Sequence, residues 1–169
     1  MSETDMQDDE QTAQYLIFLA AKERYIIDIQ DVKEIIETGQ ITRVPMTPDY
    51  IRGVINLRDN VVPVIDLVAR FGKTHSEEVE HPCIVLVDVE SKGEWRRLGL
   101  LVDEVNEIME IPASHFQPAP DFGSKIHTDF IRAMARVDDV FAILLDVGRI
   151  LSLEELGRIE EVVRQASPD

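Results

Sequence analysis

Residues Tyr50-Ile51-Arg52-Gly53-Val54-Ile55-Asn56-Leu57-Arg58-Asp59-Asn60-Val61-Val62-Pro63-Val64-Ile65-Asp66-Leu67 decide the fold. Two short runs rich in β-branched residues flank a polar break at Asp59-Asn60, and both break residues tolerate the positive φ that a tight turn needs. The stretch therefore predicts a β-hairpin. Phe130-Ile131-Arg132-Ala133 opens a second such run, Asp138-Asp139 supplies its turn, and Ala142-Ile143-Leu144-Leu145-Asp146-Val147 closes it. Asp146 follows Phe130 at the spacing at which Asp66 follows Tyr50, so the chain reads as a duplicated unit.

Working outward, the rest of the sequence supports the duplication. Gln14 to Ala20 and Tyr25 to Ile29 are short apolar runs about a polar turn at Lys22-Glu23, which predicts a hairpin. Asp31 to Ile36 fits either a helical turn or a strand. Ile41 to Val44 reads as a short strand closed by Pro45, and Pro48 suits the entry of a brief helix through Ile51. Val68 to Gly72 predicts a helical turn stopped by glycine. From Lys73 to Pro82 the chain turns polar and acidic, with Glu77, Glu78 and Glu80, as a connection between halves would.

Cys83 to Val89 is the next expected strand, with a turn at Ser91 to Glu94 and a return over Arg96 to Val102. Val105-Asn106-Glu107-Ile108 then repeats the pattern of Val32-Lys33-Glu34-Ile35. Three elements thus recur in order: a hairpin, a Val-x-Glu-Ile segment, and an aromatic-Ile-Arg opening into a second hairpin. The expected architecture is a mainly β, duplicated small barrel, with one subdomain over about 14–80 and the other over about 81–150. Residues 1–13, with Glu3, Asp5, Asp8, Asp9 and Glu10 and no basic residue, read as a flexible acidic tail. A terminal helix is expected over 152–166. Ser152 and Glu155 form a capping box, and Leu153, Leu156, Ile159, Val162 and Val163 make one apolar stripe.

Composition narrows the function. The 169 residues carry 33 acidic and 17 basic side chains, a net charge of −16, which argues against nucleic-acid binding and against an anionic membrane surface. No apolar run approaches a membrane span, and the acidic start is unlike a secretory signal, so the cytoplasm is the expected location. The single cysteine, Cys83, lies within an apolar strand, where a structural thiol is the expected role. His75, His81, His115 and His127 flank loops without the helical two-histidine spacing of a zinc site. No glycine-rich phosphate cradle and no nucleophile elbow is present. No catalytic residue, no metal site and no cofactor is therefore expected.

A binding module fits better than an enzyme. Arg58 adjoins a hairpin turn, where its guanidinium can fork onto a partner's carboxylate or simply be solvated. Glu34 is a strand-edge carboxylate with the same two readings. Phe122, after Pro118-Ala119-Pro120, is either a buried loop anchor or an exposed aromatic for a partner.

At these residues the chain resembles the CheW family, the coupling proteins of bacterial chemotaxis. The resemblance runs from about Gln14 to the terminal helix. Its most specific part is Thr47 to Arg58 with the sequel Val61 to Leu67. Tyr25 to Ile29, Val32-Lys33-Glu34-Ile35, Leu100 to Val105 and Pro118 to Phe122 extend it. It implies two five-stranded, SH3-like β-barrels with a shared apolar interface, and an adaptor without catalysis. Such proteins bridge the cytoplasmic tip of a methyl-accepting chemoreceptor and the regulatory domain of the histidine kinase CheA, at receptor arrays and without inserting into the membrane.

Carried over by position, the resemblance places Val32, Glu34, Gly53 and Arg58 at receptor or kinase contacts and Phe122 at a second kinase contact. The copy carries Ala133 and Asp138 where the first half has Gly53 and Arg58, which places the expected functional surface in the first half. The chain departs from the family pattern at Asp59, where glycine is usual, at Ile27, where glycine is frequent, and at Gln117, where arginine is common. The resemblance is to CheW rather than CheV, since no receiver domain follows the terminal helix. An adaptor of twitching motility or second-messenger output stays open as an alternative. A small-ligand barrel or an enzyme is the remote one.

Overall fold

The computed structural model describes residues 12–71, 82–91, 93–118 and 130–166. Three of its hairpins are set by two-residue turns in which both central residues take positive φ: Ala21 and Lys22 at 54° and 66°, Arg58 and Asp59 at 49° and 69°, Asp138 and Asp139 at 51° and 65°. This is the turn geometry whose twist matches that of paired strands. The break in the opening stretch is therefore Arg58-Asp59, not Asp59-Asn60, and that of the first hairpin is Ala21-Lys22. The registers Leu57↔Asn60 and Ala20↔Glu23 leave only those pairs to turn. Asp59 fits the left-handed position because its short polar side chain tolerates it, as glycine would.

Among the described residues eleven strands follow in order: β1 (Thr12–Ala20), β2 (Glu23–Asp28), β3 (Val32–Glu37), β4 (Ile51–Leu57), β5 (Asn60–Asp66), β6 (Cys83–Ser91), β7 (Glu94–Val102), β8 (Glu104–Pro112), β9 (Phe116–Gln117), β10 (Ile131–Val137) and β11 (Val140–Leu145). The ambiguous segment after Asp31 is a strand entered through a 3-10 turn at Ile29–Asp31. Two expected elements do not form. Ile41 to Val44 contributes only a bridge from Thr42 to Val54, and the residues after Pro48 turn directly into β4, with the Ile51 amide donating to the Pro48 carbonyl at 3.0 Å. The helical turn after β5 is Leu67–Arg70, capped by the Asp66 carboxylate accepting from the Ala69 amide at 3.2 Å.

The duplication is visible down to its irregularities. β4 slips register against β5 at Arg52, and β10 slips against β11 at Arg132. β3 bulges against β6 at Lys33, and β8 bulges against β1 at Asn106, the variable residue of each Val-x-Glu-Ile segment. Asp66 donates its amide to the Tyr50 carbonyl at 2.7 Å and Asp146 to the Phe130 carbonyl at 2.8 Å. Bulges at matching places bend matching strands, so the two halves curl alike.

The sheets do not follow the division expected near residue 80. One has the order β3-β6-β7-β5-β4 and the other β8-β1-β2-β11-β10-β9. Each sheet thus combines the first hairpin of one half with the later strands of the other. The hairpins join in parallel, β5 beside β7 and β11 beside β2. The second sheet has six strands rather than five because two-residue β9 is added to β10.

Alternation along the strands explains the continuous apolar runs. Ile17 and Ile26 face a core with Ile111, Ala135, Val137, Ala142 and Leu144 inside one barrel. Val64, Ile84, Leu86 and Leu101 fill the other with Ile55 and Val62. The intervening residues Leu16, Phe18, Tyr25, Ile27, Val85, Val87, Leu98 and Leu100 meet in a third cluster between the sheets. Strands buried on both faces lose the polar half of the two-residue pattern. Ile27 is wholly buried in this seam, which is why its size matters there.

The terminal helix, Leu153–Ala166, starts with the expected capping box: the Glu155 amide donates to Ser152 Oγ at 3.1 Å and the Ser152 amide to Glu155 Oε1 at 2.7 Å. Leu156 and Ile159 are buried in the seam cluster. Arg70 Nη2 reaches Glu155 Oε1 at 3.2 Å, its Nε donates to the Ile150 carbonyl at 2.8 Å, and its guanidinium lies over the Tyr50 ring. Burial alone raises the Glu155 pKa, but the Ser152 amide, Arg70 and Tyr50 outweigh it, and the group sits below its ordinary 4.5.

A folded-state pKa below the unfolded one gives stability that is present above about pH 4.5 and lost as pH falls through the lower folded value. Glu155→Gln is expected to cost about 1 kcal/mol at pH 7. In urea unfolding, the gap from the parent protein should close below pH 4.5. A constant gap would show that the carboxylate charge does not dock the helix.

Candidate functional site

Glu34 and Arg58 lie 24 positions apart in the chain and meet on the surface. Arg58 Nη2 donates to Glu34 Oε2 at 2.8 Å. The bulge at Lys33 sets Glu34 opposite Leu86 on the edge of β3, and the left-handed turn presents Arg58 from the β4–β5 tip. The Arg58 hydrogen bond holds the Glu34 carboxyl below its usual range, and the same bond raises the guanidinium. The side chains are 34% and 65% exposed, so the pair is a weak stabiliser with donors and lone pairs left for a partner.

A second pair extends the charged surface. Arg97 forks onto Asp88, Nε to Oδ1 at 2.9 Å and Nη2 to Oδ2 at 3.2 Å. Glu34 also raises the Arg97 pKa, after the larger effect of Asp88. Asp88 and Arg97 belong to the β6–β7 hairpin, so the surface is built by both halves of the chain. Beside it opens a groove of about 560 Å³ lined by Arg58, Val61, Pro63, Trp95, Leu156 and Ile159, among others. Trp95, the only tryptophan, is 67% exposed. Sequence reasoning missed Asp88, Trp95 and Arg97. The signal available was a tryptophan set among Glu94, Arg96 and Arg97.

Of the remaining expected contacts, Val32 and Gly53 lie in or beside the packed interior. Val32 is half-buried against the seam cluster and pairs with Val87. Gly53 is buried where the β3–β4 connection closes the barrel: the Thr42 and Val54 amides each donate to the other residue's carbonyl, at 2.9 and 2.8 Å. A Cβ on Gly53 would overlap the Thr42 carbonyl and lie 2.9 Å from Ile41 Cγ2, and its φ of 148° suits glycine. Phe122 lies outside the described residues, as do His75, His81 and His127. Burial raises the Cys83 thiol pKa. Among the described residues no three His, Cys, Asp or Glu side chains gather as metal ligands, and no described helix is long and apolar enough to cross a membrane.

A duplicated pair of SH3-like barrels, sharing a seam and carrying a mixed-charge surface across both halves, defines the structural class. The chain belongs to the CheW family: the family's model, described as CheW-like domain, matches residues 14–155. A relative named chemotaxis protein CheW, from Klebsiella aerogenes, is 33% identical over 151 residues, 89% of each chain. Another of that name from Rhizobium meliloti is 31% identical over 140 residues, 83% of this chain and 88% of the relative. The crystal structure of the scaffolding protein TtCheW from Thermoanaerobacter tengcongensis superposes with a TM-score of 0.75 at 32% identity, covering 86% of this chain and 91% of that one.

Proposed function

We propose that this chain is a non-catalytic adaptor of chemotaxis signalling that joins the cytoplasmic tip of a chemoreceptor to the regulatory domain of the histidine kinase CheA. The observation that carries this reading is the Glu34–Arg58 pair. Two positions given as contacts by the family resemblance come together at 2.8 Å on an exposed surface. An adaptor needs surfaces that two partners recognise, and a receptor change then shifts the kinase between states the assembly favours unequally. In this reading the protein works in the cytoplasm, held at receptor arrays, and Phe122 supplies a second kinase contact. Gly53 supports the contact from within, by fixing the strand that carries Arg58.

Arg58→Asp is expected to weaken capture of the kinase regulatory domain or the receptor tip about tenfold or more, with an unchanged melting curve. The charge exchange Glu34→Arg with Arg58→Glu restores an internal pair but should not restore capture, because a partner reads each charge in place. Full capture of both partners by Arg58→Asp would remove Arg58 from the contact.

A further inference from the structure

The β6–β7 hairpin is longer than its copy. Val87 faces Val32 as Phe18 faces Val105, which aligns the β6–β7 and β1–β2 hairpins. Past that match β1 and β2 close after two more pairs, at Ala20↔Glu23, whereas β6 and β7 run four more, to Ser91↔Glu94. The two extra pairs lengthen the hairpin by about 7 Å. Glu90, Glu94 and Trp95 in this extension are all exposed, so it buries none of the three, and the copy closes its barrel without one.

The extension is nevertheless braced. Arg96 Nη2 reaches Glu160 Oε1 at 2.7 Å and Glu94 Oε2 at 3.2 Å, which ties the hairpin to the terminal helix. Strand alternation turns Trp95 and Arg97 to the face opposite Arg96. Arg97 is the residue forked onto Asp88, so Trp95 stands on the face that carries the charged pairs. It also shares one groove with Arg58. A large, rigid aromatic held in place loses little entropy on docking, and tryptophan beside arginine is the composition of interface hot spots.

The extent of this patch selects the partner. Arg97 lies two strands from Glu34, about 10 Å, and Trp95 about 7 Å further along β7. The helix wall of the groove, Leu156 to Val163, runs for about 10 Å. An ion pair and a groove spread over about 20 Å suit a folded domain, which covers about 800 Å² of its partner. A tip seated in the groove alone would leave Glu34 and Arg58 uncovered.

We propose that Trp95 is the apolar anchor of the contact made at Arg58, and that the protein docked there is the kinase regulatory domain. This rests on the adaptor reading and adds to it a specificity-determining residue from the second half of the chain.

With one tryptophan in the sequence, 5-fluorotryptophan gives the full chain a single fluorine reporter, at position 95. Its resonance is expected to shift on addition of purified kinase regulatory domain and to stay in place with purified receptor tip. Trp95→Ala should bind the kinase regulatory domain about tenfold more weakly and Trp95→Phe about threefold, both melting with the parent and holding the receptor tip within about twofold. Unchanged kinase affinity in Trp95→Ala, or a resonance that moves with the receptor tip instead, overturns the proposal and leaves the adaptor reading standing. Loss of both partners with a lower melting temperature assigns Trp95 to the fold and overturns it too. A parent chain that captures neither partner overturns both.

Discussion

Phe18→Ala is expected to lower the unfolding free energy by about 3–5 kcal/mol, the range for truncating a fully buried phenylalanine. Phe18 is wholly buried in the seam cluster and stacks on Tyr25 at 5.9 Å. Tyr25 continues the contact to Phe71 at 5.0 Å and Phe71 to Phe130 at 4.8 Å. Truncation opens a cavity that these rings cannot all shift to fill. Phe18 belongs to one sheet and Trp95 to the other, so the measurement has a built-in reporter. Trp95 fluorescence and far-UV circular dichroism, followed through a urea titration, should shift together in the variant. A Trp95 transition left in place while the bulk signal moves would mean that the seam does not couple the sheets.

Gly53→Ala carries the second large effect, about 3 kcal/mol or more, from backbone strain and overpacking together. The added methyl overlaps the Thr42 carbonyl, and either the closing bridge opens or β4 moves. For a domain of this size the loss corresponds to about 10 °C in melting temperature. Ala133→Gly, at the matching place in the copy, should cost no more than about 1 kcal/mol. If Gly53→Ala melts with the parent but loses its partners, the glycine acts at the contact surface and the closure argument fails.

These two residues show what could be read before the structure. The hairpins, the capping box of the terminal helix and the duplicated order were legible because turn chemistry, capping and strand composition are local signals. The turn itself was misplaced by one residue, since Arg58 carries no general preference for positive φ and only the register Leu57↔Asn60 assigns it. Exchange of hairpins between the sheets was not legible, because a strand's pattern records how many of its faces are buried and not which strand lies beside it. Gly53 was read as a contact from the family resemblance, and its difference from Ala133 was taken to place the functional surface in the first half. The structure supplies a packing reason for the same difference, the Thr42 carbonyl at its α-carbon. The meeting of Glu34 with Arg58 depends on a bulge and a turn in separate elements, beyond the reach of any local window.

The exchanged hairpins also bear on how the molecule could be divided. A cut between Phe71 and Pro82 breaks none of the described strands, yet it leaves neither fragment with a complete sheet, because each described sheet draws on both sides of the cut. The two pieces are interlocked like the halves of a clasp. Expressed apart they should stay unstructured, and mixed they should fold by mutual completion, so that the protein lends itself to use as a split reporter whose signal appears only when both halves meet.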